Sequence, residues 1–373
     1  MTVSVLNVYR TYFPDPQGGL QEAIRQICLS TNKFDIHNQI FTLSPQPNPK
    51  ELQFPEARVI RQRSWAAPAS CDLGDPRALF EFAQMAGSAD VLHYFYPWPF
   101  ADVMHAVSQP KAPAVMTYIS DLVRQKLLGK LYQPLMQYML NQMKFVVVNA
   151  PSYVDSSPIL SQPKVRKKIH VIPLGIDENS YPNTLDVSIF SRLKVDLGEP
   201  FFLFIGVLRY YKGLPFLIEA AKRLKVKVVI AGTGPEEQNL KNLVNAAGLT
   251  NVVLAGQVSD AQKIALIHQC VALVLPSHLR SEAYGMVLVE AAMCSKAMIS
   301  CELGTGTSFV NQHQVTGLVV KPGDPEGLFS AMSLLLADPA MTQAFGLEAR
   351  KRYEQHFSGP AMGSAYAQLY RDC

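Results

Sequence analysis

Long apolar runs are missing from this chain of 373 residues, although 48% of its residues are hydrophobic. The longest uncharged apolar stretch, FFLFIGVL at 201–208, is far shorter than the ~20 residues that a membrane-spanning helix needs. The opening segment MTVSVLNVYR is typical of a first β-strand, whereas a signal peptide needs a basic leader and a longer apolar stretch. The sequence therefore predicts a cytoplasmic protein without a membrane span.

Metal-binding and disulfide patterns are also missing. The six cysteines include no CxxC pair, and the sequence has neither a DxD triplet nor a group of His, Asp and Glu with the spacing of metal ligands. Cys270, Cys294 and Cys301 lie within apolar segments, which favours reduced thiols in a buried core. We therefore expect neither a metal ion nor a bound cofactor.

Two further absences narrow the function. No GxGxxG opens a strand-to-helix turn, which disfavours an NAD-dependent dehydrogenase. No DNA- or RNA-binding motif accompanies the basic residues, so nucleic acid is not an expected partner.

The positive charge is concentrated in one stretch. Residues 121–168 carry eight basic and two acidic side chains, a local charge of +6 against +4 for the whole chain. Within it, LLGKLYQPLMQYMLNQMKF at 127–145 is rich in Leu, Met and Tyr and has cationic ends. This pattern fits contact with an anionic membrane surface, and it fits equally well a core helix with a solvated cationic rim.

Apolar strands alternate with helical segments in two series. The predicted strands of the first series are 3–9, 90–96, 114–120, 145–150 and 169–175. Those of the second series are 201–207, 226–232, 251–256, 271–277, 297–300 and 317–320. Such alternation predicts an α/β protein with two Rossmann-like domains, whose parallel sheets bind ligands at the carboxyl ends of their strands.

The domain boundaries follow from where this alternation stops. Residues 1–175 are predicted to form the N-terminal domain, and the turn-rich segment 176–198 a linker. Residues 199–355 then form the C-terminal domain, and 356–373 a last helix that crosses back to the N-terminal domain.

A glycine pair lies in the loop after the first strand. Gly18 and Gly19 precede a helical segment, and glycines at such a turn let backbone N–H groups approach a phosphate. A plain tight turn explains the pair at least as well.

Two cations follow the first strand of the second series. In GVLRYYKG at 206–213, Arg209 and Lys212 stand three residues apart at the end of the strand. Arg209 can bind a diphosphate in a bidentate manner and Lys212 as a point charge. A solvated loop explains the charges but not their position at the predicted ligand edge.

The segment SEAYGMVLVEAA at 281–292 contains two glutamates eight positions apart. It predicts a helix with Ser281 as the N-cap, Glu282 at or just before the first turn and Glu290 two turns later. Eight helical steps separate the carboxylates by about 12 Å along the axis, more than the roughly 5–10 Å of paired glycosidase carboxylates. A separation of this size suits two contacts along a nucleotide sugar.

These motifs together resemble the retaining family-4 glycosyltransferases of the GT-B fold. The resemblance is carried by E-x7-E, by G-x-x-R-x-x-K-G upstream of it, by the GG pair and by VIPLGID at 171–177, in the same order over essentially the whole chain. More narrowly, LRYYKGL, PSHLRSEAYG, GTGTSF and KLYQPLM resemble bacterial O-antigen mannosyl- and rhamnosyltransferases. Those enzymes move sugar from a GDP-linked donor to a lipid-linked oligosaccharide at the inner membrane.

The resemblance implies a role for each motif. The sheets of the two domains would face a central cleft, and the donor would be a GDP-sugar used without a metal. Gly18 and Gly19 would contact the donor phosphates, Arg209 and Lys212 would stabilise the leaving diphosphate, Glu282 would hold the sugar hydroxyls, and Glu290 would hold the ribose. Ala283, Tyr284 and Gly285 would complete the donor site. The acceptor would be a polyprenyl-diphosphate-linked glycan, with the protein peripheral on the cytoplasmic side of the inner membrane.

One departure from the family pattern concerns the acceptor side. Many relatives carry His-Ser-Asp where this chain has Ile119, Ser120 and Asp121. Candidate acceptor contacts are therefore Ser120, Asp121, Arg124 and Lys126, with His93 as a possible replacement for the missing histidine. Two alternatives stay open: a catalytically weak subunit that binds a nucleotide sugar, and a transferase or epimerase that uses a UDP-sugar.

Overall fold

The computed structural model describes residues 2–15, 18–67, 72–119 and 126–373, without the side chains of 126–131. The chain divides into two compact units. Unit 1 comprises Met1–Gly175 and Gly359–Cys373, and unit 2 comprises Ile176–Ser358.

Unit 1 alternates strands with helices. Its elements are β1 (Val3–Val8), α1 (Gly19–Asn32), β2 (Ile36–Ser44), β3 (Glu51–Gln53), β4 (Arg58–Ala66), β5 (Leu73–Gly74), α2 (Pro76–Ser88), β6 (Val91–Tyr96), α3 (Pro99–Ser108), β7 (Ala114–Tyr118), α4 (Lys126–Gln142), β8 (Phe145–Val148), α5 (Pro151–Ser156), α6 (Pro163–Arg166) and β9 (Ile169–Val171).

Unit 2 continues the pattern. Its elements are α7 (Ser188–Leu193), β10 (Phe201–Ile205), α8 (Leu214–Ala221), β11 (Lys227–Ala231), α9 (Glu237–Ala246), β12 (Val252–Gly256), α10 (Asp260–Gln269), β13 (Ala272–Leu275), α11 (Met286–Met293), β14 (Ala297–Cys301), α12 (Thr307–Val310), β15 (Gly317–Val320), α13 (Pro325–Ala337) and α14 (Pro339–Arg352). The last helix, α15 (Gly359–Arg371), belongs to unit 1.

The sheet of unit 1 has the order β3-β4-β2-β1-β6-β7-β8-β9, with β5 paired to β4. Its pairs are parallel except for those that β3 and β5 form with β4. The strand order reverses between β1 and β6, so the loops that follow these two strands flank a possible ligand crevice.

The sequence pattern did not predict β2 and β4, which together add a large part of this sheet. Both strands place polar side chains in the interior, among them Asn38, Thr42 and Arg61. Asn38 is hydrogen-bonded to Asn7, Thr31 and Asn32, so its burial is compensated within the unit. A search for apolar runs misses strands of this kind.

Helix α15 packs against α1 at very short range. A Cβ added to Gly363 would lie 2.4 Å from the carbonyl oxygen of Ser30, so a larger residue would push the helices apart. This contact places the C-terminal segment, which was predicted to return to the N-terminal domain, inside unit 1.

The sheet of unit 2 is parallel throughout, in the order β12-β11-β10-β13-β14-β15. Strands β10, β13 and β14 are completely buried, as their near-continuous apolar sequences predict. The order reverses between β10 and β13, and the crevice at their carboxyl ends is the expected ligand position.

The segment 176–198, which was predicted to be a linker, lies within unit 2. It contains α7, whose Ile189 and Phe190 are buried in that unit. No helix in the described part of the chain is long and apolar enough to cross a membrane.

Candidate functional site

Three loops meet at the carboxyl edge of the unit 2 sheet. They follow the adjacent strands β10, β13 and β14 and comprise residues 206–213, 276–285 and 302–306. The N–H of His278 donates to the carbonyl oxygen of Tyr211 at 3.0 Å, which joins the first loop to the second. Gly213 has a φ of +69°, and a Cβ there would lie 2.0 Å from the oxygen of Pro276. Glycine is therefore required at 213 for the two loops to lie this close.

Lys212 and Glu282 form an ion pair where these loops meet. The Lys212 Nζ lies 2.5 Å from the Glu282 Oε2, and the Ser277 hydroxyl donates to the same oxygen at 3.0 Å. The two side chains are only 12% and 9% exposed. Burial alone would lower the pKa of Lys212, but the adjacent Glu282 carboxylate outweighs it and the pKa is raised. The ammonium therefore stays charged in a water-poor position.

Arg209 contrasts with this pair. Its side chain is exposed, and its guanidinium forms no hydrogen bond or ion pair with the described residues. Arg209 immediately precedes the 3-10 turn Tyr210–Lys212, so both cations lie on one short loop. The loop therefore carries Arg209, which is exposed, and Lys212, which is paired with Glu282. An exposed cation beside a buried one is an arrangement that can bind an anion.

The sequence predicted that Glu282 lies at the start of a helix capped by Ser281, and this prediction is wrong. Helix α11 begins at Met286, and its N-cap is Gly285 with a φ of +80°. A Cβ at Gly285 would come within 2.9 Å of Leu275, so the backbone turn depends on glycine. The two glutamates of E-x7-E therefore stand on different elements, one on a loop and one on a helix.

Glu290 lies on α11 with partners of its own. Its Oε1 accepts from the Tyr181 hydroxyl at 2.5 Å and from the Lys263 Nζ at 2.8 Å. Burial would lower the pKa of Lys263, but the charges of Glu290 and Asp260 raise it instead. The expectation that a glutamate in an apolar helix needs a hydroxyl or a cation is met by Tyr181 and Lys263.

The glycine pair lies in unit 1, at the start of α1. The N–H of Gly18 donates to the side-chain oxygen of Gln21 at 2.9 Å, and a Cβ at Gly19 would meet no described atom within 4 Å. Gly19 therefore has open space beside it, whereas the N–H of Gly18 is already used.

His93 is not an acceptor contact, and that prediction is wrong. The side chain is completely buried in unit 1, where its ring nitrogens hydrogen-bond Thr117 at 2.6 Å and Tyr370 at 2.8 Å. Burial lowers the pKa of His93 to about 3, so the ring is neutral at physiological pH. With both nitrogens occupied and no exposed surface, His93 cannot bind a substrate.

The remaining acceptor candidates are neighbours in the sequence, between β7 and the first turn of α4. Ser120, Asp121 and Arg124 lie outside the described residues, and Lys126 opens α4 in the part whose side chains are not described. Ile119 is half-buried, and its N–H donates to the carbonyl oxygen of Tyr96 at 3.2 Å.

Sequence reasoning missed several residues that contact the predicted ones. Ser277 lies two residues beyond the end of β13, and a hydroxyl this close to the end of a central strand was a usable signal. Tyr181 and Lys263 reach Glu290 from a predicted linker and from another helix, and no local pattern indicates such pairing.

The sequence matches two glycosyltransferase families. Residues 18–175 match the family described as Glycosyl transferase 4-like domain, and residues 188–352 match Glycosyl transferases group 1. The chain is 39% identical over 366 residues to O-antigen chain mannosyltransferase C of Escherichia coli, covering 98% of this chain and 97% of that protein. It is 41% identical over 355 residues to the D-rhamnosyltransferase WbpZ of Pseudomonas aeruginosa, covering 95% of this chain and 92% of that protein.

Solved structures show the same fold. Sucrose-phosphate synthase from Thermosynechococcus elongatus aligns with a TM-score of 0.80 at 21% identity, over 99% of this chain and 98% of that chain. Anabaena HepE in complex with UDP and glucose aligns with a TM-score of 0.75 at 17% identity, over the full length of both chains. The matched families, the two relatives and the shared fold lead to one conclusion: this chain belongs to the glycosyltransferases of the GT-B fold.

Proposed function

We propose that this chain is a retaining hexosyltransferase that uses a GDP-sugar of the mannose or rhamnose type. Its acceptor is a polyprenyl-diphosphate-linked glycan, and its pathway is the synthesis of O-antigen or a related cell-surface polysaccharide. The names of the two relatives at 39% and 41% identity support the sugar class and the pathway. The donor nucleotide, the stereochemistry and the lipid carrier rest on the resemblance of the motifs.

The observation that carries the proposal is the arrangement of Arg209, Lys212 and Glu282 on adjacent loops. A nucleoside diphosphate is a concentrated anion, and the exposed Arg209 can engage it in a bidentate manner. Lys212 adds a second positive charge, and its ammonium group is already largely shielded from water. Together they would stabilise the negative charge that develops on the leaving GDP.

Donor binding would redistribute the contacts of the Lys212–Glu282 pair. The diphosphate offers Lys212 a further anionic partner, and the hydroxyls of the hexose offer donors to the Glu282 carboxylate. The first N–H groups of α11 lie just beyond Glu282 and favour negative charge at that end. Glu282 would thus fix the sugar while the cations and the helix terminus hold its leaving group.

The chemical step then needs little covalent participation by the protein. We propose that the acceptor hydroxyl attacks the anomeric carbon from the face that the diphosphate leaves. The bond to the departing phosphate oxygen breaks as the new glycosidic bond forms, and that oxygen takes the acceptor's proton. Catalysis of this kind comes from positioning and electrostatic stabilisation, with Arg209, Lys212 and Glu282 as the catalytic residues and no metal required.

The remaining donor contacts are assigned by motif. Glu290 would bind the ribose hydroxyls, with Tyr181 and Lys263 holding its carboxylate in place. Gly19 would offer its backbone N–H to the donor phosphates, and Gly18, whose own N–H donates to Gln21, would leave room for them beside the turn. Ala283, Tyr284 and Gly285 would shape the donor site between the two glutamates.

We also propose that the protein binds the cytoplasmic face of the inner membrane as a peripheral enzyme. The acceptor cations would include Arg124 and Lys126, next to Ser120 and Asp121. Exposed cations elsewhere in unit 1 support attraction to anionic lipid, among them Lys144, Lys164 and Lys167. Co-sedimentation with vesicles should show binding to anionic lipid that weakens as salt rises, and absence of binding at every salt concentration would contradict it.

The proposed function is tested by a donor panel and product stereochemistry. GDP-mannose, GDP-rhamnose and the UDP-sugars should be compared for hydrolysis and transfer, and NMR of the product should show the anomeric configuration of the donor retained. An inverted product would contradict the mechanism, and activity with UDP-sugars alone would contradict the donor. Tight binding of GDP without hydrolysis or transfer would instead favour a binding subunit, for which Ile119 is the motivating feature.

A further inference from the structure

Glu282 is held from a second side by the loop that follows β14. This β14 loop (residues 302–306) is joined to the loop that carries Glu282 by hydrogen bonds from a hydroxyl, a backbone N–H and a guanidinium. The Thr305 hydroxyl donates to the backbone oxygen of Glu282 at 2.9 Å. The N–H of Gly306 donates to the oxygen of Ala283 at 2.9 Å, and the Arg280 guanidinium donates back to the oxygen of Gly304 at 3.1 Å.

The same contact is closely packed. Thr305 is 1% exposed, so its bond to the carbonyl of Glu282 is shielded from competing water. A Cβ added to Gly306 would lie 2.4 Å from the Tyr284 ring and 3.0 Å from the oxygen of Ala283. The two loops therefore have no room to slide against each other without breaking these bonds.

From this geometry we propose that the β14 loop is a brace for Glu282 and that Thr305 is a positioning residue for sugar transfer. The carboxylate of Glu282 is fixed by Lys212 and Ser277, and its backbone is fixed by Thr305. Because the side chain moves with its backbone, loss of the Thr305 bond displaces the carboxylate from the sugar. This inference rests on the proposed role of Glu282 in binding the transferred hexose.

The chain offers a matched control for Thr305. Thr307 is also 1% exposed, and its hydroxyl lies 3.4 Å from the oxygen of Cys301 and 3.4 Å from the Thr305 hydroxyl, but it has no hydrogen bond to the loop that carries Glu282. Thr305→Val and Thr307→Val remove the same group from the same kind of environment. Thr305→Ser keeps the hydroxyl and is the conservative variant.

Kinetics separate positioning from stability. Thr305→Val should lower kcat for transfer from GDP-mannose about 10- to 100-fold, since displacement by about 1 Å costs roughly that much. Its Kd for GDP, which lacks the sugar, should stay within twofold of wild type. Thr305→Ser should restore kcat, and Thr307→Val should keep it within threefold of wild type. Equal losses of kcat in the two valine variants, or an unchanged kcat in Thr305→Val, would overturn the proposal.

A crystal structure of Thr305→Val distinguishes this inference from the proposed function. If the wild-type protein does not use GDP-mannose, the proposed function fails, but the brace still predicts a displacement of Glu282. The carboxylate should then move away from Lys212 and Ser277, which should stay in place. An unchanged Glu282 position would overturn the brace whatever the wild-type activity is.

Discussion

The buried glutamates of the candidate site in unit 2 have environments opposite to those of His93 and Asp102 in unit 1. In unit 2, Glu282 and Glu290 each accept hydrogen bonds from one lysine and one hydroxyl, and the pKa values of the two lysines are raised. In unit 1, His93 has only neutral hydrogen-bond partners, and burial lowers its pKa to about 3. Burial also raises the pKa of Asp102 to about 7, against a smaller lowering by its hydrogen bond from Tyr132.

The difference distinguishes buried groups that can act on a ligand from buried groups that only stabilise the fold. A buried charge survives only beside an opposite charge, and such a pair adds little stability for the cost of its desolvation. The Lys212–Glu282 pair, which lies on loops at the carboxyl edge of the unit 2 sheet, therefore supports the ligand site that we propose there. His93 follows the opposite rule, because a neutral imidazole between hydroxyls stabilises the interior and offers nothing to a substrate.

The largest expected effect is on Glu282. Glu282→Gln keeps the size of the side chain but leaves Lys212 without its counter-charge and weakens the grip on the sugar. We expect kcat to fall about 100-fold or more, in the range seen when one transition-state contact is removed. The Kd for GDP should stay within threefold of wild type, as measured by calorimetry.

Glu348→Gln is a suitable control for this variant. Glu348 lies on α14 in an exposed ion pair with Lys351, so its loss should leave kcat unchanged. A Glu282→Gln enzyme with wild-type kcat would show that the Lys212–Glu282 pair is structural, as His93 is.

A smaller effect is expected at Glu290. Glu290→Gln should weaken GDP binding about tenfold, because a charged acceptor of ribose hydroxyls becomes a neutral one. Asp260→Asn is the matched control, since Asp260 also contacts Lys263, at 2.9 Å, but is mostly exposed. Equal Kd values for GDP in wild type and Glu290→Gln would contradict the ribose assignment. Glu290 would then have only a structural role, in which it connects α11 to Lys263 on α10 and to Tyr181.

The smallest effect on activity is expected at His93, where the change should appear in stability. The folded state holds the pKa near 3 and the unfolded state near 6.5, so wild-type stability is full above pH 6.5 and is lost as the pH falls toward 3. His93→Gln lacks this titration, so its deficit in unfolding free energy should shrink by up to about 1.4 kcal/mol per pH unit over that range.

Urea unfolding at several pH values measures this deficit. The exposed His170 provides the control, and His170→Gln should leave the unfolding free energy at pH 7 within about 0.5 kcal/mol of wild type. At pH 7 the folded His93→Gln enzyme should keep its kcat. A selective rise in the KM for the acceptor would contradict the structural role of His93.

Much of the fold could be predicted because its strands are buried apolar runs. The six strands of unit 2 were predicted from stretches such as FFLFIGV and VALVLPS. The strands β2 and β4 were not, because buried Asn38 and Arg61 interrupt the apolar pattern and are hydrogen-bonded to Asn7 and Ser44, which lie 31 and 17 positions away. Tertiary hydrogen bonding decides such strands, and a local window does not contain it.

The residues of the candidate site also differ in whether a local sequence pattern indicates them. Arg209 and Lys212 were identified because they follow a strand of the second series, and Glu282 because it stands eight positions before Glu290. The structure brings Lys212 and Glu282 together. The start of α11 was wrong because a good N-cap residue, Ser281, competed with Gly285, whose left-handed conformation determines the turn. The bond from Thr305 to the Glu282 backbone could not be predicted, since it joins loops 23 residues apart.

Calorimetry of GDP and UDP with the wild-type protein and with Arg209→Ala is the most direct test of the proposed donor site. We expect wild type to bind GDP in preference to UDP, and Arg209→Ala to bind GDP at least tenfold more weakly, because the exposed guanidinium binds the diphosphate. Equal GDP affinities in the two proteins would contradict the assignment of the diphosphate to the loop that follows β10, and a preference for UDP would contradict the proposed donor.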